Sequence, residues 1–200
     1  REKRFVALTS VLAAVFLTGM KVAVGVSTGS IGILAEAAHS ALDLVAAAVT
    51  LWAVRAAGAP ADPVHPYGHG KIENLSALFE TALLLVTCAW IVKESVERLL
   101  FQPARVEPTP LAFAVMAISI VVDVSRSRAL SRTAKKYGSQ ALEADALHFS
   151  TDVWSSSVVL VGLSLVVVSQ RTGVAWLAQA DAVAALAVAA IVVVLSLKLG

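Results

Sequence analysis

Glu36-Ala37-Ala38-His39-Ser40-Ala41-Leu42-Asp43 decides how the chain is read. The octet lies inside an apolar run from Ile31 to about Val54. His39 and Asp43 are four residues apart, so on a helix they stand one above the other on a single face. Glu36, three residues before His39, leans to the same side. A carboxylate in the middle of a membrane span costs roughly 2.5–3.5 kcal/mol on insertion scales. A bound cation offsets that cost best, because a neutral imidazole and a carboxylate are half of a metal site.

The surrounding composition supports a membrane setting. Of the 200 residues, 58% are hydrophobic and 15% charged, against about 25% charged in a soluble domain. Six stretches are long and apolar enough to cross a hydrocarbon core of about 30 Å, near residues 5–26, 31–54, 73–96, 110–124, 142–168 and 176–197. The expected fold is an all-α membrane protein of six transmembrane helices. Turn and breaker residues separate the spans: Ser27-Thr28-Gly29-Ser30, Ala59-Pro60-Ala61-Asp62-Pro63 and the stretch from Pro103 to Pro110. Ser30 is a candidate cap for the second helix. The fourth stretch is the shortest, and a helical continuation through Arg126–Lys136 is an alternative to a loop there. Arg1-Glu2-Lys3-Arg4 before the first span imitates a signal peptide, but no small-residue cleavage site follows, so the span is read as retained. The first residue is Arg rather than Met, so a fragment is expected.

Charge placement sets the expected orientation. Arg1, Lys3, Arg4, Arg55, Lys71, Arg126, Arg128, Arg132, Lys135, Lys136 and Lys198 fall on one side of the membrane. Lys93, Arg98, Arg105 and Arg171 fall on the other, and Lys21 lies within the first span. The excess of basic residues places both termini in the cytoplasm. The basic residues at 126–136 fit a cytoplasmic connection meeting anionic headgroups rather than a nucleic-acid surface. Cys88 is the sole cysteine, which excludes an intramolecular disulfide framework and a Cys-rich zinc module. Within an apolar run it reads as a small packing residue.

A second element repeats the first. Asp145-Ala146-Leu147-His148-Phe149-Ser150-Thr151-Asp152 again places an acid, Ala, an apolar residue and His ahead of an Asp four residues on. At about 1.5 Å per residue, His39 and Asp43 lie about 13 and 19 Å below the outer surface. His148 and Asp152 lie about 9 and 15 Å above the inner one, by the same rise. All four fall in one band around the midplane, and antiparallel helices set His39 beside Asp152 and Asp43 beside His148. Two imidazoles and two carboxylates at one depth suit tetrahedral Zn²⁺. One such element alone fits a metal-free His–Asp hydrogen bond equally well; two at matched depth favour the ion. Glu36 and Asp145 are candidate outer partners that orient the histidines, or steps on a proton path.

At these residues the chain resembles the cation diffusion facilitator family of proton-coupled metal exporters. The likeness is carried by Gly29-Ser30-x-x-x-Leu34-Ala35-Glu36-x-x-His39-Ser40-x-x-Asp43 and by His65-Pro66-Tyr67-Gly68-His69-Gly70-Lys71-x-Glu73-x-Leu75. It continues in Lys93-Glu94-Ser95-Val96-Glu97-Arg98-Leu99 and Ala144-Asp145-x-x-His148-x-x-x-Asp152-Val153. The resemblance implies a six-helix, usually dimeric, multi-pass protein of the cell membrane, here a bacterial inner membrane, that exports divalent metal in exchange for protons. It assigns the transported ion to His39, Asp43, His148 and Asp152. Members with His at the position of His39 tend towards Zn²⁺, while manganese-type members tend to carry Asp there. Fe²⁺, Cd²⁺, Co²⁺ and Mn²⁺ remain alternative cargoes. Most members continue into a cytoplasmic metal-binding domain, whereas this sequence stops at Lys198-Leu199-Gly200 as one transmembrane domain.

The connection after the second span carries Asp62, His65 and His69. Nitrogen and oxygen donors at this spacing can clasp a metal, and the resemblance matches them to a loop-borne site in some members. The alternative is a structured turn with exposed histidines. Lys71 and Glu73 are an expected ion pair at the start of the third helix. Glu80 and Asp123 fit either a proton path or pairing inside the bundle, with Lys21 as one partner. Asp181 favours the N-terminus of the sixth helix. Trp52, Trp90, Trp154 and Trp176 fit interface belts or packing. Two other function classes fit the sequence less well. A metal-gated channel would share the ligands, yet four protein ligands slow release. An intramembrane metalloenzyme needs an open coordination position and a general base, and the sequence has no His-Glu-x-x-His motif.

Overall fold

The computed structural model describes residues 1–28, 31–100, 109–172 and 190. These residues form five long helices: α1 (Glu2–Thr28), α2 (Ile31–Ala57), α3 (Lys71–Leu100), α4 (Pro110–Tyr137) and α5 (Gln140–Thr172). No strand occurs among the described residues. The expected sixth helix, with Trp176 and Asp181, lies outside them, as do Gly29, Ser30, Pro103, Arg105 and Lys198. Helices over Glu2–Thr28, Glu36–Ala57, Lys71–Trp90 and Pro110–Tyr137 are long and apolar enough to cross a membrane. The protein is an all-α membrane protein.

Every helix overruns the stretch its hydropathy marks, and α4 does so most. It continues through the basic residues to Tyr137, so 126–136 is helix and not a connection. Arg, Ala, Leu and Lys are good helix formers whatever their hydropathy. Thr109 caps the start, its Oγ1 accepting from Ala112 N–H at 3.2 Å, with Pro110 in the first turn where its missing N–H costs nothing. At the other end Lys135 and Lys136 complement the helix dipole. Gly138 then turns at φ +59°, and Ser139 N–H reaches back to the Ala134 carbonyl at 3.1 Å. That six-to-one bond is a Schellman stop. The Ser139 carbonyl in turn accepts from Glu143 N–H at 3.1 Å, so α5 begins at once.

The chain divides into two compact units. The first comprises Arg1–Ala82 with Val124–Ser150; the second comprises Leu83–Asp123 with Thr151–Gly200. The first unit has an apolar core of Ala7, Ala47, Leu51, Val54, Leu130, Ala134, Ala141, Leu142, Ala146 and Phe149. Its many alanines let helix backbones approach closely, as membrane bundles favour. The buried seam of α1 runs Ala7, Ser10, Ala14, Leu17, Lys21 and Gly25, at helical spacing. A Cβ on Gly25 would lie 2.8 Å from the Leu34 side chain, which shows how near α1 and α2 come. Phe5, Leu12, Phe16 and Val26 point outward from α1, a face suited to lipid. In the second unit Leu84, Cys88, Val115 and Met116 are buried, so Cys88 is a packing residue. Trp52, Trp90 and Trp154 are 60%, 63% and 63% exposed, which removes core packing as their role.

The basic first turn of α1 ties down the ends of the first unit. Lys136 Nζ and Tyr137 OH each donate to Glu2 Oε2 at 2.6 Å. Lys3 Nζ meets Glu73 Oε1 at 2.5 Å, Ser139 Oγ donates to Glu73 Oε2, and Arg4 donates to the Arg55 carbonyl at 3.3 Å. The expected Lys71–Glu73 pair is therefore corrected: Glu73 serves Lys3 and Ser139. Residues two apart on a helix do not face each other, and Lys71 points to solvent.

Candidate metal centre

Two helices of the first unit supply the centre. On α2, His39 Nε2 lies 3.8 Å from Asp43 Oδ1, the contact that four-residue spacing allows. On α5, His148 Nε2 lies 3.1 Å from the same oxygen. Asp43 Oδ1 thus lies near two imidazoles, one four residues before it and one 105 residues after it. A carboxylate can only accept, so with Asp43 ionised the hydrogen of the close pair is on His148 Nε2. His148 is 1% exposed and sits edge-on to Phe149, ring centroids 5.4 Å apart. The Arg126 guanidinium lies 3.5 Å from the Phe149 centroid. His39 is more open, with its side chain 32% exposed.

Asp152 belongs to the second unit, where it is buried. It follows His148 by one turn of the continuous helix α5. The structure thus brings His39, Asp43 and His148 together. Their borderline nitrogen and oxygen atoms match Zn²⁺ and its neighbours in the first transition series.

The remaining sequence-derived candidates have specific partners. Lys21 Nζ donates to Ser40 Oγ at 2.8 Å and to Glu36 Oε2 at 3.3 Å. Glu36 is therefore held by α1. Asp145, fully buried, accepts from Ser10 Oγ at 3.5 Å, and Arg126 donates to the same hydroxyl at 3.1 Å. Glu80 accepts from Thr50 Oγ1 at 2.5 Å, so the proposed Lys21–Glu80 pairing is corrected: Lys21 is engaged on α2. Asp123 is buried in the second unit. The sequence offered Lys21 as a partner of Glu80 or Asp123 and did not mark its contacts with Ser40 and Glu36, although a cation amid an apolar span is itself a signal. Nothing in the spacing marked Arg126 as buried.

The loop cluster is compact. Asp62 Oδ1 accepts from Val64 N–H at 2.9 Å and His65 N–H at 2.6 Å, an Asx turn. Gly68 follows at φ +78°, a conformation that glycine adopts freely. These turns set His65 Nδ1 at 3.1 Å and His69 Nε2 at 3.4 Å from the Asp62 carboxylate. One donor atom from each of the three lies within 4.8 Å of the others. The His65 backbone N–H holds the Asp62 carboxyl below its ordinary range, with the His65 side chain adding to the effect. The cluster is largely exposed, His69 least so.

A multi-pass helical membrane protein with paired imidazole and carboxylate donors on its spans defines the class of integral membrane proteins that handle cations. The chain belongs to the cation efflux family, whose transmembrane-domain model matches residues 7–200. It is 37% identical to the uncharacterized transporter sll1263 of Synechocystis, over 88% of this chain and 56% of that protein. It is 33% identical to the cation-efflux pump FieF of Shewanella oneidensis, over 78% of this chain and 52% of the pump. To the manganese efflux system protein MneP of Bacillus subtilis it is 30% identical, over 98% of this chain and 65% of that protein. The chain thus spans about half to two thirds of the length of these relatives.

Proposed function

We propose that the protein carries a divalent transition metal, Zn²⁺ first among them, out of the cytoplasm across the cell membrane in exchange for protons. The observation that carries this reading is Asp43 Oδ1 lying 3.1 Å from His148 Nε2 and 3.8 Å from His39 Nε2 on helices of a membrane protein. The family resemblance adds Asp152, four residues after His148 in the sequence, as the fourth member of a His2Asp2 ligand set. Family membership and relatives named as cation and manganese efflux proteins support metal as cargo. Fe²⁺, Cd²⁺, Co²⁺ and Mn²⁺ are the alternative cargoes by the same mechanism, and His rather than Asp at position 39 favours Zn²⁺.

The chemistry follows from shared atoms. The hydrogen on His148 Nε2 occupies the lone pair a metal needs, so proton and ion compete for the ring. Inward-facing, the centre gives up protons and takes the ion; outward-facing, protons displace it. A secondary transporter needs nothing further, since the proton gradient sets the direction. Both termini are cytoplasmic in this scheme, and a homodimer is the working assembly. The loop donors Asp62, His65 and His69 form a second metal site on the cytoplasmic face, and Asp145 and Glu36 orient the histidines or lie on a proton path.

Zn²⁺ flux in proteoliposomes holding the whole protein tests the scheme. Uptake is expected to track an imposed pH gradient and to collapse with an ionophore that dissipates it. Flux indifferent to the gradient would remove proton exchange from the account.

A further inference from the structure

Glu36, His39 and Asp43 stand at positions i, i+3 and i+7 of α2, one stripe of one helix. Glu36 is therefore a third carboxylate on the face that carries the cargo ligands, one turn nearer the N-terminal end of α2. Its side chain is 33% exposed, so it is reachable by an ion that leaves His39 in that direction. Its partner comes from another helix. Lys21, on the buried seam of α1, is 5% exposed and places Nζ 3.3 Å from Glu36 Oε2 and 2.8 Å from Ser40 Oγ. Thr18 Oγ1, one turn earlier on α1, donates to the Ser40 carbonyl at 2.9 Å. α1 thus grips α2 at the residue beside His39 and at the acid above it.

A buried ammonium is a costly group to retain merely for packing. The geometry points to Lys21 as the residue that keeps Glu36 off the cargo ion and so sets how readily the ion is released. This rests on the reading of His39, Asp43 and His148 as the cargo centre. Without Lys21, Glu36 adds its negative charge to the same stripe. A divalent cation is then held by an extra carboxylate, binds more tightly and departs more slowly. Without Glu36, the Lys21 ammonium is left uncompensated beside the centre and repels the ion.

The two single substitutions are thus expected to move affinity in opposite directions, which loss of packing does not do. The test measures initial Zn²⁺ uptake against Zn²⁺ concentration in proteoliposomes of the whole protein. Lys21→Gln is expected to lower KM and the maximal rate together, each by roughly tenfold. Glu36→Gln is expected to raise KM by roughly tenfold. The double variant Lys21→Gln/Glu36→Gln is expected to return both quantities towards the parent.

A Lys21→Gln protein with a lowered rate, an unchanged KM and no rescue by Glu36→Gln overturns the inference. If Lys21→Gln does not insert stably, the comparison of Glu36→Gln with the double variant decides. A raised KM that the second substitution removes supports the inference, and an unchanged KM in Glu36→Gln overturns it. His148→Ala run alongside separates the two kinds of failure. If it transports like the parent, the cargo centre itself is misassigned and this inference falls with it. If it is inactive while Glu36→Gln leaves KM unmoved, only the role given to Lys21 falls.

Discussion

His148 Nε2, on α5, lies 3.1 Å from Asp43 Oδ1, on α2. The carboxylate is nearly buried and the imidazole wholly so, which makes this contact strong and its disruption expensive. A buried carboxylate deprived of its donor bears the desolvation cost of that charge, about 1–3 kcal/mol or more. The contact therefore serves the protein whether or not cargo is bound.

Asp43→Asn and His148→Ala test the centre directly. Partners that merely orient a metal ligand cost about 10–100-fold in affinity when removed, so removing a ligand is expected to weaken Zn²⁺ binding by roughly 100-fold or more. Isothermal titration of the purified protein reads this, with Asp62→Ala as the background that removes loop binding. Retention of parental affinity by both variants would contradict the assignment.

Glu73→Gln is expected to lower stability by about 1.5–3 kcal/mol, the range for hydrogen bonds to a charged group, because Glu73 joins Lys3 to Ser139. Lys71→Ala, at an exposed position, is expected to stay within about 0.5 kcal/mol of the parent. Thermal unfolding in detergent compares them, and equal losses would restore the Lys71–Glu73 pair that the structure replaces.

Gly138→Ala should destabilise by about 1–2 kcal/mol, the cost of a left-handed residue with a side chain. Its φ of +59° is what stops α4 and lets Ser139 start α5. Gly70 has an ordinary φ and open space where a Cβ would go, so Gly70→Ala serves as the control and is expected to cost little. The same unfolding measurement reads both.

The loop gives a pH prediction with a definite sign. Asp62 titrates below its ordinary value of 3.8 in the folded loop, chiefly because the His65 backbone N–H stabilises the carboxylate. A depressed folded value means that the turn's stabilisation is complete above the ordinary carboxylate range and is lost as pH falls through the lower one. The change in the Val64 amide signal that Asp62→Asn abolishes is thus expected only below about pH 3.8 in labelled protein. A low-pH change that persists in Asp62→Asn would show a different group controlling the turn.

How much of this was legible in the sequence differs from residue to residue. Helical rise and span boundaries were enough to expect Asp43 beside His148, because both depend on one-dimensional spacing and an assumed antiparallel arrangement. The end of α4 was obscured because hydropathy falls at Arg126 while helix propensity does not. Arg126 itself is buried against Phe149 and Ser10, a fact of tertiary contact that no local pattern carries. Lys21 and Glu80 were visible as charges in apolar spans, and which neighbours they meet was left open. A single sequence gives the face a side chain occupies and leaves open which neighbouring helix supplies Ser40 or Thr50.

The tie made by the first turn of α1 has a consequence for how the chain is made. Arg4, Lys3 and Glu2 meet partners 51, 70 and 134 residues further on, in that order. Chains emerge from the ribosome at about 5–20 residues per second, so α1 reaches the bilayer well before Lys136 exists. Its first turn must wait, and the fastening of the opening residues to the last of these partners is a late event in biogenesis.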